Sequence, residues 1–113
     1  GETGPLLAEL ARKVKRPNMV TIYDGGNIAA QNKDAMQCLS EFHDMSKSMG
    51  WLHIKDYAVD KDLEWTGVVD EERLKNFVPA NVGDAGHEFI LRELREMLPK
   101  MEKKMKKEDL LYT

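Results

Sequence analysis

WLHIKD, residues 51–56, is the stretch on which the fold turns. Trp51, Leu52 and Ile54 are bulky and apolar, which suits a buried strand. His53, Lys55 and Asp56 bring polarity to its end. In a strand, His53 and Lys55 point to one side and Ile54 and Asp56 to the other. Polar residues at the end of a buried strand are where α/β folds place their chemistry. The plainer alternative is a core histidine beside a salt-bridged loop.

A second stretch has the same plan. MVTIYDGGN, residues 19–27, is an apolar run followed by Asp24, two glycines and Asn27. Asp-Gly is also a common turn signal, but a helix pattern follows, so a hairpin is not expected. That helix is capped by Asp34 or Asn32. Its inward stripe reads Ala35, Leu39, Phe42, Met45 and Met49, with His43 turned away. Gly50 is placed as its C′ residue. An earlier helix over residues 4–15 opens on Thr3 as N-cap with Pro5 in the first turn. Leu6, Leu7, Leu10 and Val14 form its apolar face, and Pro17 and Asn18 stop it. Helix, strand, helix and strand with short joins predict parallel strands with right-handed crossovers.

The next loop, roughly residues 57–69, is long and well solvated through Asp60, Lys61, Asp62 and Glu64, with Trp65 a large apolar exception. Two readings stay open: a lid over the strand ends, or a loop pinned by Trp65. Asp70 opens a short helix that ends near Asn76. Residues 77–80 are extended because Pro79 disfavours helix at Val78. The loop NVGDAG, residues 81–86, then feeds a helix that starts near His87. Loop N–H groups ahead of a helix N-terminus suit an anion. Pro99 is expected to interrupt or kink this last helix. Beyond it, Met101, Met105 and Leu110 sit among lysines, which reads as a solvated outer helix or a basic patch.

In order and spacing, YDGGN, GWLHIKDY and FVPANVGDAGHE resemble the xylose isomerase-like barrels, a superfamily of (β/α)8 sugar phosphate isomerases and epimerases. The resemblance implies an α/β fold that is part of a TIM barrel, about strands six and seven with their helices. Such a barrel needs about 250 residues. The 113 residues are therefore expected to be a C-terminal-half fragment, truncated at both ends and without the last strand. In these barrels a divalent ion (Mn, Mg, Co or Zn) is held by Glu, Asp, His and Glu from strands five to eight. Asp24 and His53 match the middle two ligands. Glu2 precedes a helix cap and is left out of the site. Asn27, Lys55, Asp56 and His87 are the expected substrate-binding residues, with Asp56 also placed to orient His53 or Lys55. The implied chemistry is isomerisation or epimerisation of a sugar or sugar phosphate by proton transfer next to a carbonyl. Both catalytic carboxylates are then expected to lie outside this chain. The alternatives are a non-catalytic half-barrel that binds a partner or associates with itself through its open face, and an endonuclease IV-like DNA repair enzyme.

Composition narrows the choice. A net charge of −3 and only three histidines argue against the DNA repair reading and against nucleic acid in general. No apolar run approaches the roughly 20 residues of a membrane span. The single cysteine, Cys38, rules out an internal disulfide. It suits a cytoplasmic protein and a packing role.

Overall fold

The computed structural model describes residues 3–16 and 18–107, with side chains through Lys103. The expectations for Glu2, Pro17, Met105 and Leu110 fall outside that range. Among the described residues the chain is a small mixed α/β domain of five helices and four short strands.

Helix α1 (Gly4–Val14) begins where the sequence places it. Thr3 Oγ1 accepts from the Leu6 N–H, which satisfies one of the donors a helix start leaves open. The helix ends as Lys15 turns left-handed at φ 52° and donates to the Ala11 carbonyl. Its apolar stripe behaves otherwise than expected. Leu6, Leu10 and Val14 are exposed, and only Leu7 packs against the core. What seats the helix is polar. The buried Glu41 carboxylate accepts from Gly4 N at 2.6 Å and pairs with Lys33 Nζ at 2.8 Å.

Strand β1 (Thr21–Asp24) starts two residues later than the apolar run. The DGG segment is not a loop: Gly25–Ala29 forms a short helix, α2, with Asp24 as its N-cap. It packs directly on the end of the WLHIKD stretch. A Cβ added at Gly26 would come within 2.8 Å of Lys55 Cβ, so only glycine permits this approach. Helix α3 (Ala35–Met45) is capped by Asp34 in a full capping box with Gln37. It stops earlier than the stripe suggests. Met49 and Gly50 belong to strand β2 (Met49–His53) and not to the end of α3.

β1 and β2 are parallel, with Ile22 opposite Trp51 and Asp24 opposite His53. One face of this pair lies on the helices. There Tyr23 stacks edge-on against Phe42, with ring centroids 5.2 Å apart, and donates its hydroxyl to the Cys38 carbonyl. Burial pushes the Cys38 thiol up to about 12, helped by the Glu41 charge, so its role is packing. On the other face Ile22 and Trp51 are exposed.

The WLHIKD stretch does not continue as one strand. It breaks after His53, and β3 (Asp56–Tyr57) pairs antiparallel with β4 (Phe77–Val78) as a separate ribbon. Tyr57 and Phe77 close this ribbon with an edge-on contact at 5.1 Å. Between them lies α4 (Glu71–Leu74), capped by Asp70. The last helix, α5 (His87–Lys107), runs through Pro99 without ending.

The long loop is held from beneath. Arg73 on α4 is 2% exposed. Its guanidinium donates to the carbonyls of Ala30 at 2.8 Å and Leu63 at 3.1 Å. It also donates to the Glu64 carbonyl and to Asn32 Oδ1 at 2.8 Å. The Trp65 ring lies over it, 5.0 Å from ring centroid to Cζ. Of the two readings of this loop, the pinned one matches the contacts.

Candidate functional site

Parallel neighbours place their C-terminal ends side by side. Here that brings Asp24, His53 and Lys55 together. His53 Nδ1 lies 3.3 Å from Asp24 Oδ2, and Lys55 Nζ reaches the same oxygen at 3.1 Å. The other oxygen, Oδ1, accepts from the Asn27 N–H at 3.0 Å and starts α2. The carboxylate is 9% exposed, while His53 and Lys55 are about half exposed. A shielded anion thus faces two cation-forming side chains that stand in solvent.

The break after His53 makes this cluster possible. In an unbroken strand Lys55 would sit one full repeat beyond His53, further along the strand. α2 packing on the Lys55 backbone instead lets the side chain return to Asp24.

The Asp24–His53 contact also defines the ring. A carboxylate that accepts from Nδ1–H leaves Nε2 as the basic nitrogen of a neutral imidazole. As donors to a metal, Asp24 Oδ2 and His53 Nδ1 are spaced like adjacent ligands on one ion with bonds of about 2.1 Å. An ion there would replace the shared proton and displace the Lys55 ammonium, which is free enough to swing away. The pair therefore fits a metal as half of a site. No group of three or more His, Cys, Asp or Glu residues is placed to hold a metal ion among the described residues.

Two expected site residues are held by bonds to the backbone. Asp56 is buried and does not orient His53 or Lys55. Its Oδ1 accepts from Tyr57 N at 2.9 Å and Ala85 N at 3.0 Å, and its Oδ2 accepts from Gly83 N at 3.0 Å. Burial by itself would push this carboxyl up. The N–H groups of Ala85, Tyr57 and Gly83, with the charge of His87, outweigh it and hold the group below the usual carboxylate range. The GDAG loop is thus an anion cradle already filled from within the chain. Gly83 is required there because a Cβ would fall 2.5 Å from the Tyr57 carbonyl oxygen. His87 is 3% exposed and its Nε2 bonds to the Lys55 carbonyl. Through that bond it holds the backbone behind the cluster. Asn27 is exposed and borders a cleft together with Lys55.

Arg73 was not legible as an important residue. No local pattern marks it, since its partners Ala30, Asn32 and Leu63 come from two distant segments. The one available signal was Trp65, a large aromatic residue in a loop dense with charged side chains.

No helix among the described residues is long and apolar enough to cross a membrane. No family model, curated protein or solved structure gives a significant match to this chain.

Proposed function

We propose that this chain is a segment of a xylose isomerase-like barrel and supplies half of the metal centre of a sugar or sugar phosphate isomerase or epimerase. The observation that carries the reading is the register of Asp24 opposite His53 at the C-terminal ends of two parallel strands. The 3.3 Å approach of their donor atoms gives it chemical content. A bound divalent ion would polarise adjacent substrate oxygens and acidify the proton next to the carbonyl. Asp24 and His53 would hold it. Lys55 and the Asn27 amide stand where they can hydrogen-bond substrate hydroxyls. The remaining ligands and the acid–base carboxylates come from other strands. A cytoplasmic setting accords with the lone buried thiol of Cys38.

Two protein ligands leave most of the coordination sphere to water. The 113-residue chain should therefore bind Mn²⁺ with a Kd on the order of 1 mM or weaker and show no isomerase turnover. Isothermal calorimetry checks this. Asp24→Ala should abolish the binding, and so should Asp24→Asn, which keeps the α2 cap. Micromolar binding, or binding that survives both substitutions, would refute the half-site.

A second reading rests on a different observation. Ile22 and Trp51 are exposed on the face of the sheet away from the helices, at 50% and 63%. Both outer edges of the β1–β2 pair are unpaired among the described residues. Such a face is an association surface. Sedimentation velocity should find a concentration-dependent dimer or higher species, weakened by Trp51→Ala. A monomer at all concentrations with a sharp, high-temperature melt would count against it.

A further inference from the structure

A cleft of about 1160 Å³ lies at the opposite end of the sheet from Asp24. Met19 and Val20, which lead into β1, and Ser48 and Met49, at the start of β2, line it. Asp24 and His53 end the same two strands. The parallel pairing therefore sets the cleft a strand length, roughly 10 Å or more, away from them. Five Lys or Arg side chains line the cleft, and they come from three parts of the chain. Arg12, Lys15 and Arg16 stand at the end of α1, Lys47 follows α3, and Lys100 lies inside α5. Only two carboxylates share the lining, Glu9 and Asp44, and Glu9 is engaged by Lys13 at 3.1 Å. No ion pair among the described residues engages Arg12, Lys15, Arg16 or Lys100. Elsewhere Lys13, Lys33, Lys55, Lys75 and Arg92 each find a carboxylate. A helix dipole draws cations to a C-terminus, which accounts for those that close α1 and α3. It does not account for Lys100, which reaches the cleft from within a helix.

From this convergence we infer that the cleft is a binding site for a polyphosphate chain, free or carried by a nucleoside. Phosphates in series spread several negative charges over one span, and Lys and Arg are the side chains that bind them. A lone phosphate is too small to meet cations brought from three segments. The cleft is slightly larger than the roughly 300–1,000 Å³ of small-molecule sites, so a triphosphate has room there together with its nucleoside. Met19, Val20 and Met101 give the same cleft apolar surface that a base ring can cover. A nucleic acid strand carries similar charges, but it runs on past the cleft over a chain of net charge −3. The site does not depend on the metal reading of Asp24 and His53.

Amide-resolved NMR titrations of the 113-residue chain in EDTA test this with inorganic triphosphate, ATP and orthophosphate. Triphosphate should shift the amides of Arg12, Lys15, Arg16, Lys47 and Lys100 saturably, with affinity about tenfold or more above that of orthophosphate. Raising the salt from about 0.05 M to about 0.2 M should weaken it several-fold. Tighter binding of ATP than of triphosphate would assign the site to a nucleotide, and equal binding to the chain of phosphates alone; the site stands in both cases. Arg12→Gln with Arg16→Gln should weaken triphosphate about tenfold, and Lys100→Gln should weaken it about threefold. All three positions are exposed, so the fold should be kept, with an unchanged thermal melt as the check. Lys61→Gln with Arg95→Gln removes as much charge from exposed positions outside the cleft and should leave binding unchanged. Orthophosphate as tight as triphosphate, or an equal loss in the Lys61 and Arg95 variant, would overturn the inference. So would tighter binding of a short oligothymidylate or of a glutamate-rich peptide than of triphosphate.

Discussion

Arg73→Ala should be the most damaging single substitution outside the hydrophobic core, costing about 3 kcal/mol or more. The side chain is buried and satisfies four acceptors on two separate segments. Its removal leaves those oxygens with only the water that can enter, and takes away the packing against Trp65. A domain of this size has about 5–15 kcal/mol in total, so the loss is a large share. Thermal melts should show a fall of roughly 10 °C, and proteolysis within residues 58–69 should quicken. Arg73→Lys should rescue little. A single ammonium cannot reach two pairs of acceptors held in the plane of a guanidinium. A lysine variant as stable as the parent would show that charge alone matters there.

The second large effect belongs to Asp56 and is visible in its pH dependence. The folded carboxyl is held below its ordinary value, so the unfolded chain binds its proton first as pH falls. Its contribution to stability is therefore complete above about pH 5, begins to fade near the ordinary value of about 3.9, and is lost as pH falls through the lowered folded value. Urea melts between pH 3 and pH 7 should show this acid loss. Asp56→Asn should flatten it while lowering stability at neutral pH by about 2 kcal/mol, because an amide has one acceptor oxygen where three N–H groups need partners. An unchanged acid limb in the variant would assign the effect to other carboxylates. Glu41, also buried and bonded to Gly4 N, is the first to examine in that case.

The features that the sequence declares are local ones. Thr3, Asp34 and Asp70 cap helices through N–H groups three residues away, and each is where its neighbours predict. The parallel pairing of β1 and β2 follows from a helical crossover with short joins, here made of α2 and α3. The strand ends were harder. Met49 continues the α3 stripe at helical spacing, yet its backbone lies opposite Thr21 in the sheet. Periodicity does not separate these two states at the last turn of a helix. Ile54 and Asp56 alternate as in a strand, but the chain turns after His53. The cause is distant: Gly83 and Ala85 take the Asp56 carboxylate into a second ribbon. The inward faces also defeat pattern reading. Leu6, Leu10 and Val14 make an apolar stripe that α1 leaves open. Such a stripe says that a face is apolar, not that something in the same hundred residues covers it.

The same distinction divides the candidate site. Asp24 and His53 were legible because each ends a strand and the strands are neighbours. Lys55 was assigned to substrate hydroxyls, and its pairing with Asp24 depends on the turn after His53. Asp56 and His87 were drawn to the site by their position in the sequence. In the fold they support it from behind, through the 83–85 loop and the Lys55 carbonyl.

The account depends most on Asp24 and His53 forming one cation-binding point at the strand ends. Paramagnetic broadening of backbone amides by dilute Mn²⁺ locates such a point directly. The amides of Asp24 and His53 should broaden first, followed by those of Asn27 and Lys55, and the effect should vanish in His53→Gln. Broadening centred on another carboxylate group, such as the acidic first turn of α4 at Glu71 and Glu72, with Asp24 and His53 untouched, would contradict it.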